Sequence, residues 1–346
     1  MALTPRIGWI DVARGIGIIL VVYGHVLIGL SVAHPLSPGG LLSASEYTIY
    51  TFHMPLFFVL AGLNVTASMA KGRLRFLRNK IWTIVYPYIL WSLFQGSIQV
   101  LFPHMVNAPH SAKSLITILW RPIGQFWFLY VLFVCHLFAF VCRANRVLLV
   151  SLAIALLLAD RWHPNDLLKS VAIMFSFYVG SILLCGWLLR WRPKLSVALV
   201  LSLLLAGFLL VAAKFGFKLS SDHPYALASL PASVAGIGLV ISLSHLIEGV
   251  SHWLSRQFER LGQISLTIYI LHVLAAAGAR VVLMALGVKG LAELLILCTA
   301  AGIFIPFAIH LLLEHFHLLA AFGLGVPPGK HSAAPEQNAP ILAARL

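Results

Sequence analysis

The stretch Ile10–Val26, IDVARGIGIILVVYGHV, places two ionisable side chains on one face of an apolar helix. Arg14 and His25 are 11 residues apart; at about 100° per residue this is three turns plus about 20°, or about 16 Å along the axis. We expect this segment to cross a bilayer, with Arg14 at the cytoplasmic interface and His25 near mid-depth. An ionisable side chain inside a membrane helix usually faces a polar cavity and indicates a functional site.

The rest of the chain has the composition of a membrane protein. Of its 346 residues, 60% are hydrophobic and 10% are charged, whereas about 25% of the residues in a soluble domain are charged. This composition excludes a soluble enzyme. A formal net charge of +14 would indicate nucleic-acid binding in a soluble protein, but Lys and Arg also collect in the cytoplasmic loops of membrane proteins. We therefore expect membrane lipids around the chain and no nucleic-acid partner.

Hydropathy windows of about 19 residues predict an all-α, polytopic membrane protein with about ten transmembrane helices. The predicted spans are 15–33, 47–68, 81–102, 124–142, 146–160, 168–189, 195–213, 225–245, 264–287 and 291–313, of which the fifth is the shortest. With the N-terminus inside, 16 of the 24 Lys and Arg residues fall on the cytoplasmic side, which predicts that both termini are cytoplasmic. We assign residues 1–322 to a membrane-embedded domain and residues 323–346, which lack apolar periodicity, to a disordered cytoplasmic tail.

His25 is a candidate general base. An imidazole can be neutral at pH 7 and still accept a proton, which suits the bilayer interior better than a carboxylate or an amine. Asp11 lies three residues before Arg14 and can pair with its guanidinium across one helical turn. The alternatives are a histidine that only hydrogen-bonds to a neighbouring helix and an ordinary interfacial ion pair at Asp11.

Two further histidines can face the same cavity. His53 lies two residues before Pro55 in the second span, where a proline leaves a backbone carbonyl without its helical partner. Entering from the outer side, His53 is about 9 Å deep. His272 is about 12 Å in from the cytoplasmic end of the ninth span and shares a helix face with Ser265. Either histidine can instead be a hydrogen-bonding group in helix packing.

The densest basic cluster is residues 71–80, KGRLRFLRNK. Arg75 and Arg78 are three residues apart and can form a fork for phosphate groups. Coenzyme A carries such phosphates and is found in the cytoplasm. The same charges can also act only as a topology signal or bind anionic lipid.

Several catalytic signatures are absent from the sequence. It contains no G-x-S-x-G elbow, H-E-x-x-H helix or phosphate loop. The four cysteines have no paired spacing, which predicts neither a disulfide framework nor a metal site. The predicted spans contain almost no carboxylates, which weakens models of proton-coupled transport. His136 and Arg280 fall in spans without an evident partner, and we assign them no role.

Together these motifs resemble the acyltransferase-3 family of integral membrane O-acyltransferases. The resemblance covers about residues 6–320 and rests on Arg14 and His25 of the first helix and on Arg75-x-x-Arg78. It is also carried by the stretches 52–62 (FHMPLFFVLAG), 126–129 (FWFL) and 265–272 (SLTIYILH). The Phe-His-Met-Pro sequence is similar to that of the fucose and exopolysaccharide O-acetyltransferase branch.

The resemblance implies transfer of an acetyl or other short acyl group from cytoplasmic acyl-CoA to a hydroxyl of a sugar. The acceptor would be a cell-surface or exported polysaccharide or its lipid-linked precursor. By position, His25 would be the catalytic histidine and Arg14 its motif partner, while Arg75 and Arg78, with Arg14, would bind the CoA donor. We expect His53 or His272 to polarise the thioester carbonyl or to orient the acceptor.

The expected enzyme uses acetyl-CoA as a donor substrate and no permanently bound cofactor. It would be a multi-pass protein of the bacterial cytoplasmic (inner) membrane, with glycan assembly proteins as candidate partners. Direct transfer with His25 as general base and transfer through an acetyl-histidine fit the sequence equally well. The competing functional classes are a transporter or flippase for a glycan or anionic solute, although no inverted repeat is visible, and a non-catalytic scaffold subunit.

Overall fold

The computed structural model describes residues 8–32, 40–101, 112–163, 165–216 and 229–325. Within these ranges the secondary structure is helical, without strands. The α-helices are α1 (Gly8–Ser31), α2 (Leu41–Gly62), α3 (Val65–Ala70), α4 (Arg73–Lys80), α5 (Tyr86–Leu101), α6 (Ala112–Thr117), α7 (Trp127–Val141), α8 (Arg146–Trp162), α9 (Asp166–Leu188), α10 (Leu195–Gly216), α11 (Leu230–Val250), α12 (His252–Gln263), α13 (Ser265–Ala285) and α14 (Leu291–His315).

Nine segments of the described ranges are long and apolar enough to cross a membrane. They are α1, α2 with α3, α4 through α5, Gly124–Val141, α9, α10, α11, α13 and α14. The predicted all-α, polytopic architecture is confirmed. The fifth predicted span, 146–160, is α8, which has 17 residues. At 1.5 Å per residue α8 is about 25 Å long, somewhat shorter than the hydrocarbon core of about 30 Å.

α1 lies inside the helix bundle. It contacts α2, α11, α12, α13 and α14, and Val12, Val21 and Val22 are fully inaccessible to solvent. A helix packed on most sides needs apolar residues around most of its circumference, which explains the nearly continuous apolar sequence of this segment. It begins at Gly8, before the predicted apolar span 15–33, and includes Arg14, as the predicted helical spacing of Arg14 and His25 requires.

α12 is an amphipathic helix that hydropathy windows for transmembrane spans do not detect, because it has only 12 residues. It crosses α1 at backbone contact distance. A Cβ atom at Gly262 would lie 1.9 Å from the carbonyl oxygen of Asp11, and one at Gly15 would lie 2.2 Å from that of Phe258. Glycine is therefore required at both positions for this approach. The crossing fixes the end of α1 that carries Arg14.

A π-helical segment, Ile81–Val85, separates α4 from α5. Such wide turns are rare and frequently occur at functional sites. Ile84 is buried, and the Thr83 hydroxyl donates a hydrogen bond to the Asn79 carbonyl over 2.9 Å. The segment forms part of the wall of the cavity described below.

Part of the predicted domain organisation falls outside the described residues. These end at residue 325 and begin at residue 8, so most of the tail assigned to residues 323–346 and both chain ends are not described. The disordered tail and the cytoplasmic location of the termini remain predictions.

Candidate active site

The candidate active site follows one face of α1. Arg14, Ile18, Val21 and His25 succeed one another at spacings of four, three and four residues, which keeps them on one stripe of the helix. The first three line a cavity. His25 continues the stripe one turn further into the bundle.

The cavity has a volume of about 240 Å³. It is enclosed by α1, α2, α4, the π-helical segment, α7 and α13, together with Asn64 ahead of α3. The polar residues of its wall are Arg14, Asn64, Lys80, Thr83, His136, Ser265 and Tyr269, and the remaining ones are Ile18, Val21, Met54, Phe57, Ala61, Ile84, Phe128, Leu129, Leu132 and Leu266. Fixed positive charge is thus confined to Arg14 and Lys80, both on the side predicted to be cytoplasmic.

The three histidines predicted as catalytic residues come together in the bundle. The rings of His25 and His272 meet edge to face, with centroids 4.9 Å apart. His53 joins them through Tyr50, whose ring centroid lies 4.7 Å from that of His53 and 6.3 Å from that of His25. Three residues from α1, α2 and α13 therefore form one cluster, as their predicted depths required.

Each histidine of the cluster is held by its own helix. The Nδ1 atom of His25 lies 2.9 Å from the Val21 carbonyl, that of His53 lies 2.7 Å from the Ile49 carbonyl, and that of His272 lies 2.7 Å from the Tyr269 carbonyl. A carbonyl oxygen only accepts hydrogen bonds, so Nδ1 donates in all three cases. In the neutral ring Nε2 then carries the lone pair, which is the form a general base requires.

The cavity and the histidine cluster are one helical turn apart. Val21 and Tyr269 both line the cavity, and their carbonyls hold His25 and His272. The Nε2 atoms of His53 and His272 are buried without a hydrogen-bond partner among the described residues. Buried nitrogens of this kind are normally paired, so these two acceptors are available to a hydrogen-bond donor that enters the cluster.

Arg14 is oriented by Asp11, as its spacing predicted. The guanidinium NH1 donates to the Asp11 carboxylate over 3.1 Å, with 33% of the Arg14 side chain and 5% of the Asp11 side chain exposed. The Asp11 backbone is in turn fixed by the contact with Gly262. Arg14 is therefore placed at the cavity by both its ion pair and the crossing of α1 with α12.

The Arg75 and Arg78 pair lies outside the cavity. Both side chains are exposed on α4, and neither is part of the cavity wall. Their neighbour Arg73 donates to the Phe140 carbonyl over 2.9 Å and stacks over the Phe140 ring, which attaches α4 to α7. The guanidinium groups of Arg75 and Arg78 thus lie at the surface, while Lys80 at the end of the same helix faces the cavity.

On the far side of His25 the same face of α1 continues to Gly29. The Gly29 carbonyl accepts a hydrogen bond of 2.6 Å from Arg280 of α13, a residue without a predicted role. This places the Arg280 guanidinium about one helical turn beyond His25.

In the described part of the chain no group of three or more His, Cys, Asp or Glu side chains could hold a metal ion.

Comparison with known proteins identifies the family. An acyltransferase domain model, Acyl_transf_3, matches residues 7–313, nearly the whole chain. The chain belongs to the acyltransferase-3 family. It is similar to the nodulation protein NolL of Mesorhizobium japonicum, with 27% identity over 203 residues, which cover 56% of this chain and 53% of that protein. The chain thus spans about half the length of this relative. No solved structure matches it.

The acyltransferase-3 match includes every predicted site residue, from Arg14 to His272. Lys80, Asn64, Thr83 and His136 line the cavity, although the sequence pattern assigns none of them to a site. Lys80 belonged to a basic cluster that predicts topology equally well, and single polar residues carry no periodic signal. Only the tertiary arrangement, in which these residues line the same cavity as α1, shows that they face inward.

Proposed function

We propose that this protein is a membrane O-acyltransferase that moves an acetyl or short acyl group from cytoplasmic acyl-CoA to a sugar hydroxyl. The acceptor is a cell-surface or exported polysaccharide or its lipid-linked precursor. The observation that carries the proposal is the cavity that begins beside Arg14 and Lys80 and ends one turn from the His25–His272 pair. The end of the cavity that carries Arg14 and Lys80, here called the mouth, can bind an anion, and the opposite end leads to the histidine cluster.

The size of the cavity supports a donor of which only one arm enters. Pockets that enclose a drug-sized ligand have volumes of roughly 300–1,000 Å³, whereas this cavity has about 240 Å³. The narrow pantetheine arm would occupy it with the thioester pointing toward His25. The nucleotide part of CoA would stay outside, where the exposed Arg75 and Arg78 can bind its phosphates.

His25 performs the proton transfer in this proposal. Its Nε2 takes the proton from the sugar hydroxyl while the hydroxyl oxygen forms a bond to the thioester carbonyl carbon. The carbon–sulfur bond then breaks, and the CoA thiolate leaves and is protonated. General-base catalysis of this kind contributes typically about 10²- to 10⁴-fold in rate. The two-step alternative, in which Nε2 first forms an acetyl-His25, uses the same nitrogen as nucleophile.

His272 orients the acceptor rather than polarising the carbonyl. Its Nδ1 donates to the Tyr269 carbonyl, so its neutral Nε2 accepts hydrogen bonds and cannot donate one to a developing oxyanion. With the reacting hydroxyl donating to the His25 Nε2, a second hydroxyl of the sugar can donate to the His272 Nε2, which has no hydrogen-bond partner among the described residues. The same constraint applies to His53, whose Nδ1 donates to the Ile49 carbonyl.

The proposed setting is the bacterial cytoplasmic (inner) membrane, with CoA entering from the cytoplasm. The nine apolar segments require a membrane. The similarity to a nodulation protein of a bacterium supports the bacterial assignment. Glycan assembly proteins that supply the acceptor are the proposed partners.

The test is transfer of labelled acetyl from acetyl-CoA to lipid-linked or polymeric glycan in membranes that contain the protein. We expect label in the glycan with the wild type and a loss of about 10²- to 10⁴-fold with His25→Ala. The matched control is His315→Ala, which removes an exposed histidine and should transfer at the wild-type rate. Unlabelled glycan with acetyl-CoA and other short acyl donors, despite equal protein levels and a suitable acceptor pool, would favour a transporter.

A further inference from the structure

A second histidine site lines the cavity, away from the His25 cluster. His136 of α7 is 1% exposed, and its Nδ1 lies 2.7 Å from the Leu132 carbonyl, to which it must donate. Its ring packs between those of Phe76 and Tyr178, with centroid distances of 5.6 Å and 5.4 Å. The Nε2 atom is buried without a hydrogen-bond partner among the described residues, although the residue lines the cavity.

Lys80 and His136 contact the same ring, that of Phe76, and both line the cavity. Lys80 is half-buried at the end of α4, its ammonium lies 5.5 Å from the Phe76 ring centroid, and it makes no ion pair with a carboxylate in the described ranges. The Asp11 carboxylate at this end of the cavity already pairs with Arg14. The cavity mouth therefore holds two positive charges and one negative charge, which favours an anionic ligand.

The residues of α7 that line the cavity show the direction in which such a ligand extends. His136, Leu132, Leu129 and Phe128 line the cavity in succession, and eight residues of helix span about 12 Å. Lys80 and His136 lie at one end of this strip. Tyr269 contacts Phe128 at the other end, with ring centroids 5.2 Å apart, and its carbonyl holds His272. A ligand with an anionic head at Lys80 thus points its tail toward the catalytic cluster.

We propose that Lys80 and His136 form the binding site for the phosphorylated end of the donor's arm. This inference rests on the proposed function. The Lys80 ammonium binds the phosphate that joins pantetheine to the nucleotide. The neutral His136 ring, with Nε2 as acceptor, takes a hydrogen bond from an amide N–H or the hydroxyl of the arm. Arg75 and Arg78, exposed on the outer face of α4, bind only the phosphates of the nucleotide.

Three ligands of decreasing length distinguish the contacts to the nucleotide, to the phosphate and to the arm. They are CoA, 4′-phosphopantetheine and pantetheine. Binding to the purified full-length protein in nanodiscs is measured for each, so that the result does not depend on transfer activity. Lys80→Gln should weaken CoA and 4′-phosphopantetheine by about tenfold or more, because a hydrogen bond to a charged group is lost, and leave pantetheine unchanged. Lys80→Arg, which keeps the charge, should restore most of the affinity.

The other variants give different patterns. Arg75→Gln with Arg78→Gln should weaken CoA alone. His136→Phe, which keeps a ring between Phe76 and Tyr178, should weaken all three ligands by about threefold to tenfold, because one hydrogen bond of about 0.5–1.5 kcal/mol is lost. Lys71→Gln removes an exposed charge of the same basic cluster and should change none of them.

Equal affinity of the wild type and Lys80→Gln for 4′-phosphopantetheine would overturn the phosphate assignment. Unchanged affinity of His136→Phe for pantetheine, with the fold confirmed by thermal unfolding, would overturn the role of His136. If the wild type binds none of the three ligands, the proposed donor itself is wrong. If the predicted binding pattern appears without acetyl transfer, the donor site stands and the transfer reaction fails, so the two proposals are distinguishable.

Discussion

The mouth of the cavity and the histidine cluster differ in how they hold their polar groups. At the mouth the cationic side chains are Arg14 and Lys80, and a third of the Arg14 side chain remains exposed. In the cluster, His53 and His272 have no exposed surface and are tied to the carbonyls of their own helices. Burying an unpaired ion costs far more than burying a neutral, partly hydrogen-bonded ring. The Lys and Arg side chains therefore lie at the mouth, and imidazole rings lie deep.

Under the proposed function, this difference separates donor binding from chemistry along α1. Arg14 and His25 are about 16 Å apart on one face, with the apolar residues Ile18 and Val21 between them. Substitutions at the mouth should change the KM for acyl-CoA, and substitutions in the cluster should change kcat. The following predictions test that separation.

The largest effect is expected from His272→Gln. This change keeps a similar side-chain volume but removes the Nε2 acceptor beside His25, so the sugar loses the hydrogen bond from its second hydroxyl that orients it. A misplaced reacting group can cost about 10²-fold, and we expect kcat for acetyl transfer to fall by that factor with the KM for acetyl-CoA unchanged. Steady-state kinetics in membranes measures both constants, with the exposed His252→Ala as control. A raised KM at constant kcat would assign His272 to the mouth.

The next effect is expected from Gly262→Ala, which acts on both regions through packing. The new Cβ would meet the Asp11 carbonyl at 1.9 Å, so α12 must move away from α1. Overpacking of this kind typically costs about 1–3 kcal/mol, which thermal unfolding in detergent would detect as a lower Tm. The matched control is Gly278→Ala in α13, where no atom lies within 4 Å of the new Cβ and no loss is expected. Equal Tm values for the two variants would contradict the close crossing.

Arg14→Gln should affect the mouth alone. It removes one of the two charges that face the cavity, and a lost charged hydrogen bond of about 1.5 kcal/mol corresponds to a rise of about tenfold in the KM for acetyl-CoA. The rate at saturating donor should stay near that of the wild type. A fall in kcat with an unchanged KM would show that Arg14 acts on His25 rather than on the donor.

The smallest effect is expected from Asp11→Asn. The amide keeps the size of the side chain but loses the ion pair with Arg14, and pairs near the surface contribute about 0.2–1 kcal/mol. We expect the KM for acetyl-CoA to change by less than about fivefold, and the effect to disappear in the Arg14→Gln background. Additive effects of the two substitutions would mean that Asp11 does not act through Arg14.

The sequence predicted the meeting of the three histidines better than the polar wall of the cavity. Helical periodicity and depth brought His25 and His272 to one level, because both quantities depend on a single helix each. The inward position of Lys80 depends on the packing of α4 against α7 and the π-helical segment, which is not encoded in any local pattern. For the same reason the motif Arg75-x-x-Arg78 indicated a basic surface but not that its side chains point away from the cavity.

Helix existence was similarly easier to predict than helix ends. Long apolar spans such as α9 and α14 dominate a 19-residue window. The charged residues of α1 lower the average over its first two turns, so its start at Gly8 was missed. α12 is short and amphipathic and gives no transmembrane signal, although its crossing with α1 fixes the position of Arg14 at the cavity.

The π-helical segment Ile81–Val85 determines which side chains of α4 face the cavity. Behind it, α5 is fastened by Tyr88, which donates to the Ile118 carbonyl, and by Trp91, which donates to the Phe322 carbonyl over 2.9 Å. Ahead of it lies Lys80. Removing one residue from the wide turn would restore α-helical spacing and rotate α4 by about 100° relative to this anchor, which would carry Lys80 off the cavity. The number of residues in this segment therefore sets the orientation of Lys80, in addition to the side chains that the segment contributes to the wall.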